Sequence, residues 1–345
     1  MTQRAFIIGG TGQIGRAVAA RLLDDGWSVA LGSRGFGSTP VDLIDRGAET
    51  VIMDRAEPGS LRRAIGKGAD LLLDTIGYDA SDAAQLLDVQ DTVGQLASIS
   101  SASVYCDEQG RTLDEAHSTG FPELPVPITE HQSVVPPGPD TYSTRKVAME
   151  QVLFDGARIP ATVLRPCAIH GPHSQHPREW WFVKRLLDRR QRIPLAYEGR
   201  SRFQTSATVN IAALIAAITK EPKTGPLNAI DPEAPSVAEI GRIIMAAIGR
   251  DATLVANADP SYPPRVGVSP WAVPRPFVLS DAGARAIGYL PVADYAGTVP
   301  AACHWLMEQS AQDWRATFPM LASYPWELFD YAAKESWFGR QTGSE

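Results

Sequence analysis

Residues 4–26 read RAFIIGGTGQIGRAVAARLLDDG. A short apolar run stops at a glycine pair, and apolar side chains then return at helical spacing, Val18, Leu22 and Leu23, until Gly26. The stretch reads as a strand, a glycine turn and a helix. Gly9, Gly12 and Gly15 fall in that turn. A pyrophosphate held there needs a tight turn, close approach of backbone and close packing of helix on strand, with the helix N-terminus facing the phosphates. A bare βα turn is the alternative for such glycines. Their place on the first strand of a βαβ series favours dinucleotide binding, by Gly9, Thr11, Gly12, Gln13, Ile14 and Gly15.

Working outward, SVALGS, AETVIMD, ADLLLDTI and GQLASISS are further strand candidates separated by helix-length segments, and PATVLRP is a sixth. This pattern predicts an α/β fold, a Rossmann-type doubly wound parallel sheet with ligands at the carboxyl ends of its strands. The expected dinucleotide-binding domain is residues 1–165, with a return segment near 203–222. Residues 166–202 and 223–345 are expected to form a smaller, interleaved substrate domain with a C-terminal helical extension. The proline-rich stretch from Thr112 to Pro139 reads as a long loop over the sheet edge. Trp314, Trp326 and Trp337 read as an added packing layer.

The end of the second strand decides which dinucleotide. An NAD protein usually offers a carboxylate there, whereas this chain has Gly32, Ser33 and Arg34. A guanidinium can pair with a 2′-phosphate, so NADP is expected over NAD, with Ser33 and Arg34 as contacts and Arg16 assisting. A solvated Arg34 is the alternative. Asp54 closes the third strand and is a candidate for the adenine amine; Thr75 closes the fourth.

DTYSTRKVAME, Asp140 to Glu150, places Tyr142 and Lys146 four residues apart, on one helix face. Together with TGQIGRAV and SISSASVY, this chain resembles the short-chain dehydrogenase/reductase superfamily. Its length and LRPCAIHGP, Leu164 to Pro172, resemble the extended, epimerase/dehydratase-like branch in a divergent member. The resemblance covers about the first 220 residues. It implies that Tyr142 carries the proton, Lys146 holds the nicotinamide ribose and lowers the tyrosine pKa, and Ser101 binds the substrate oxygen. A phenol near pKa ~10 is a poor base at neutral pH. A charge ~4 Å away, at an effective dielectric of about 20, contributes roughly 4 kcal/mol, about three pKa units.

Where dehydratases of the branch resemble Thr-Asp-Glu, the chain has Ser101, Ala102 and Ser103, which disfavours water elimination. Ala168 stands where nucleotide-sugar members tend to carry an asparagine on the diphosphate. The interval from Asp74 to Ser100 is shorter than usual in the branch, which leaves the oligomeric state open. The expectation is therefore an NADP-dependent ketone reductase or alcohol dehydrogenase for a small or medium organic substrate. The alternatives are a sugar or nucleotide-sugar epimerase that retains its NAD(P), and a non-enzymatic nucleotide-sensing or RNA-associated protein. Ser103 and His170 are candidate substrate contacts, and Glu150 reads as a structural carboxylate.

No metal site is expected, because Gly171 and Pro172 break any helix that would align His170, His173 and His176. The formal charge of −7 argues against nucleic acid or an anionic membrane as the main partner. Lys184, Arg185, Arg189, Arg190 and Arg192 form a local cationic cluster, read as a solvated helix face. Cys106, Cys167 and Cys303 are isolated and suggest neither a disulfide framework nor a zinc site. The N-terminal apolar run is too brief for a signal segment, and no window approaches the ~18 apolar residues of a membrane span. A soluble cytoplasmic protein is expected.

Overall fold

A computed structural model of the protein describes residues 2–36, 38–259 and 265–341. The chain opens with β1 (Arg4–Ile8), α1 (Gln13–Asp24), β2 (Ser28–Ser33), α2 (Val41–Asp45), β3 (Glu49–Ile52), α3 (Ser60–Ile65), β4 (Ala69–Asp74), α4 (Ala80–Asp88) and β5 (Val93–Ile99). After the short α5 (Ala116–Thr119) come α6 (Tyr142–Gly156), β6 (Ala161–Pro166), β7 (Ala168–His170), α7 (Trp180–Leu187), β8 (Arg192–Ala196) and β9 (Thr205–Ala207). The rest comprises α8 (Thr208–Lys220), β10 (Gly225–Ala229), α9 (Val237–Ile248), β11 (Thr253–Asn257), α10 (Ala282–Arg285), α11 (Tyr295–Glu308), α12 (Trp314–Thr317), α13 (Pro319–Ala322) and α14 (Tyr331–Gln341).

Seven strands form one parallel sheet in the order β10-β6-β5-β4-β1-β2-β3. Parallel strands covered on both faces read as continuous apolar runs, and β6 is buried at every position. The chain reverses direction across the sheet at β1 and β4, so the strand ends that meet there carry the glycine turn and Thr75. β10 is a seventh strand that the sequence reading lacked. Its residues, GPLNA, include glycine, proline and asparagine, which are poor strand formers, and it gains strand geometry by pairing with β6 at the sheet edge.

Two compact units result. One contains residues 1–167, 208–230 and 279–292; the other contains 168–207, 231–278 and 293–345. The run that returns to the first unit is thus longer and later than the expected 203–222, and the segment 279–292 joins it. Asn228 explains the latter: its side-chain amide donates to the carbonyls of Ile128 and Ser280, at 3.2 and 3.0 Å.

The first unit's core includes Phe6, Ile8, Leu72, Leu96 and Val163 from the central strands. The second unit packs Trp181, Phe182, Ile240, Trp271, Leu306 and Phe318 together. The aromatic C-terminal segment completes this second unit and accounts for most of the cationic cluster. Lys184, Arg185, Arg190 and Arg192 lie over the rings of Phe329, Trp181, Tyr331 and Phe338, at 5.6, 3.6, 3.8 and 3.9 Å. Among the described residues no helix is long and apolar enough to cross a membrane.

Candidate active site

The glycine turn is built by close approach. A Cβ on Gly15 would lie 2.5 Å from the Gly9 carbonyl oxygen and 2.7 Å from Gly10 Cα, so α1 can pack onto the turn only as glycine. Gly12 is the N-cap of α1, and no side chain caps it; the first turn, with Gln13 and Ile14, holds no acid. Thr11 contributes its carbonyl, which accepts from Arg16 Nε at 2.8 Å. A helix N-terminus without a side-chain cap, reached by a narrow glycine turn, suits a pyrophosphate.

At the next strand ends the residues separate in role. Arg34 is exposed, with its guanidinium 5.8 Å from the centre of the Phe36 ring, and Ser33 Oγ accepts weakly from Gly35 N. Arg16, expected to assist Arg34, is instead buried. Its guanidinium also donates to the Ser38 carbonyl and hydroxyl, and burial pushes its pKa down. Arg16 therefore shapes the loop after β2. Asp54 accepts from Ala56 N at 3.0 Å, a local turn. Thr75 Oγ1 donates to the Ile8 carbonyl at 2.9 Å, fastening β4 to β1 below the turn.

Ser101, Tyr142 and Lys146 do come together. Thr141 caps α6 reciprocally with Thr144, which starts the helix at Tyr142. Ser103 also serves this junction, because Ser143 Oγ lies 2.9 Å from both its carbonyl and its hydroxyl. Tyr142 is 41% exposed, and the nearby Ser101 hydroxyl acts to lower its pKa. Tyr78, which the sequence reading missed, packs its ring 5.8 Å from that of Tyr142. Only the fold brings it there, since it follows β4, far from α6 in the chain.

Lys146 is buried, donating to the carbonyls of Gly77 and Ile99, the latter at 2.9 Å. Burial pushes its ammonium down to about 8, against the pull of Asp74, Asp82 and Glu150. The expected depression of the Tyr142 pKa by Lys146 is not found. Partial burial pushes the phenol up; Ser101 opposes this, while Asp114 and Tyr78 add to it. The reason is geometric: Lys146 Nζ sits 5.6 Å from the tyrosine ring centre and is turned towards the two carbonyls. Glu150 is buried and pairs with Arg165, whose Nε lies 3.1 Å from Oε1.

His170 is a correction. It is 1% exposed, with Nε2 2.9 Å from Asp231 Oδ2, so it offers a substrate nothing. His176 goes elsewhere, with Nε2 3.1 Å from Tyr324 Oη. Among the described residues no group of three or more His, Cys, Asp or Glu side chains is arranged to hold a metal.

The second unit has a cavity of about 480 Å³ that sequence reasoning did not find. Arg200, Arg202, Arg275 and Tyr197 are among its lining residues. A parallel bridge between Phe203 and Phe277, with their rings stacked 5.3 Å apart, brings the two arginine-bearing segments side by side. The sequence signal was faint: isolated arginines in two segments far apart along the chain.

The family model for the NAD dependent epimerase/dehydratase family matches residues 5–229. A UDP-glucose 4-epimerase of Bos taurus is 30% identical over 151 residues, which is 35% of this chain and 43% of that protein. The match thus spans less than half the length of this curated relative. Among solved structures, a UDP-N-acetylglucosamine 4-epimerase from Methanobrevibacter ruminantium superposes with a TM-score of 0.69 at 14% identity, covering 90% of this chain and 100% of that one. A UDP-glucuronic acid 4-epimerase from Bacillus cereus, in complex with NAD, gives 0.65 at 16%, covering 89% and 99%. At these identities the superpositions speak for the fold. The expected ketone reductase or alcohol dehydrogenase is overturned: the similar proteins are UDP-sugar 4-epimerases. Ser101, Tyr142 and Lys146 would serve both chemistries, so they do not discriminate between them. With 5–229 of its residues matched, the chain belongs to the NAD dependent epimerase/dehydratase family.

Proposed function

We propose that the protein interconverts epimers of a nucleoside-diphosphate sugar, a UDP-sugar in the first instance, with a nicotinamide dinucleotide that it retains. The observation that carries this reading is the half-exposed Tyr142, with Ser101 close enough to lower its pKa and the buried Lys146 beside it.

The glycine turn fits the dinucleotide: Gly15 leaves no room for a side chain, and α1 presents an uncapped N-terminus. When bound, that group would supply a hydride acceptor and donor to a carbinol carbon. Ser101 Oγ would then hold the substrate oxygen; Tyr142 Oη, as phenolate, would take the proton from the hydroxyl, and as the phenol so formed would return it to the ketone oxygen. Its raised pKa favours the phenol, the form that returns the proton, over the phenolate that takes it. An ammonium has three donors; the Gly77 and Ile99 carbonyls take two, and we assign the third to a ribose hydroxyl. We assign Arg34 to a 2′-phosphate, and so NADP over NAD, because the β2 end has no carboxylate of its own.

The test is to incubate the protein with UDP-glucose or UDP-galactose and to follow both sugars and cofactor absorbance. Interconversion without net cofactor reduction is expected. Failure to interconvert any of a panel of UDP-sugars would sink the proposal, as would stoichiometric build-up of reduced cofactor.

A further inference from the structure

Lys146 depends on a carbonyl that does not belong to regular structure. Its Nζ donates to Ile99, the last residue of β5, and to Gly77, in the turn between β4 and α4. A turn is a poor fixed point unless something fixes it. Here both amides that flank Gly77 are held by carboxylates. Ile76 N donates to Asp74 Oδ1 at 3.0 Å, and Tyr78 N donates to Asp82 Oδ2 at 2.7 Å.

The remaining carboxylate oxygens are joined by one cation. Arg55 Nη1 donates to Asp74 Oδ2, and Arg55 Nε lies against Asp82 Oδ1, both at 2.9 Å. Asp74 is completely buried, and the side chains of Arg55 and Asp82 are each 16% exposed. Gly77 has no room to move inward. A Cβ there would lie 2.9 Å from Asp74 Oδ2, 3.1 Å from Met149 Sδ and 3.2 Å from Ser98 Oγ. The turn that bears the receiving carbonyl is thus clamped at both flanking amides and packed on the side where a Cβ would point.

We propose that Asp74, Arg55 and Asp82 are positioning residues that hold the Gly77 carbonyl on Lys146 and keep that ammonium charged where it serves the dinucleotide. This rests on the role given to Lys146 above. The charges that face Lys146 are Asp74 from β4, Asp82 from α4, Arg55 from the turn after β3 and Glu150 from its own helix, the last already paired with Arg165. Tyr142 presents its ring. Both aspartates favour the charged lysine and Arg55 opposes it, so neutralising an aspartate lowers the Lys146 pKa. Because that pKa already stands at about 8, a downward move falls within the working range.

The experiment compares the wild-type protein with Asp82→Asn and Asp82→Glu, reading turnover against pH and, in the same full-length proteins, the Lys146 Nζ titration by nitrogen-15 NMR. Asparagine replaces one of the two oxygens that serve Arg55 and Tyr78 N with an amide group that only donates. The alkaline limb and the Lys146 midpoint should both move down by about half a pH unit or more. The loss of turnover should be roughly threefold greater at pH 8.5 than at pH 6.5, and glutamate should restore part of it. If Asp82→Asn does not fold, Asp74→Asn is expected to move both readouts in the same direction. An equal loss at every pH with an unmoved Lys146 midpoint would mean a purely structural role and overturn the proposal. Should the wild type prove inactive on all UDP-sugars, the epimerase reading fails by itself, and the NMR midpoint alone decides the clamp.

Discussion

Two polar clusters, one in each unit, make opposite use of the same kinds of side chain. Around α6, Tyr142 is 41% exposed, with Ser101 close enough to lower its pKa and the buried Lys146 beside its ring. Around β7, His170 faces Asp231 at 2.9 Å, and its ring lies 4.8 Å from that of Tyr295, whose hydroxyl reaches Glu179. All four of these residues are at most 2% exposed. The first cluster leaves its tyrosine partly exposed. The second is sealed and spends its charges on itself. A titratable group therefore becomes chemistry only if its reacting atom is reachable; otherwise the same group is part of the core.

The largest expected effect tests the open cluster. Tyr142→Phe should lower UDP-sugar interconversion by about 10²–10⁴-fold, the range for loss of a general acid–base group, with an unchanged melting curve. A variant with wild-type turnover would place the proton transfer elsewhere.

The sealed cluster should respond in stability instead. His170→Ala leaves the Asp231 carboxylate without its cationic partner and should cost about 3 kcal/mol, or roughly 10²-fold in the folding equilibrium. Chemical denaturation measures this, while turnover per folded molecule should stay within about threefold. Burial alone would push the imidazole down, but Asp231 and Glu179 hold it above its ordinary value. A raised histidine contributes its stability below the unfolded pKa and loses it as pH rises through the folded one. The deficit of His170→Ala should therefore be larger at pH 6 than at pH 9. An equal deficit at both, or a large fall in turnover, would blur the distinction between the clusters.

Smallest is the cofactor preference: a thermal shift with NADPH that exceeds that with NADH by about 1–3 °C and vanishes in Arg34→Ser. A larger shift with NADH would take the 2′-phosphate from Arg34.

Much of the first unit was legible because its signals are local. RAFII and SVALGS are strands with the expected limits, and Tyr142 and Lys146 share the helix whose start Thr141 caps. Less legible was anything that joins distant segments. The glycine turn suggested a partner for Arg34 in Arg16, but Arg16 turns to Ser38. Lys146 was expected to act on Tyr142, but its nearest acceptors are backbone carbonyls at the end of β5 and in the turn after β4. His170 stood at a substrate-facing turn by analogy; a carboxylate 61 residues away draws it inside.

The sequence by itself determined the alternation of strand and helix, the glycine turn at the first strand end, and the tyrosine and lysine on one helix face. Each follows from periodicity and from steric limits within a few residues. Only the tertiary structure decided which charges are buried together: Glu150 with Arg165, Asp74 and Asp82 with Arg55, His170 with Asp231. It also decided that arginines from two remote segments line one cavity. The physical reason is that burial and Coulomb energy depend on distance in space, which the order of residues along a chain does not contain.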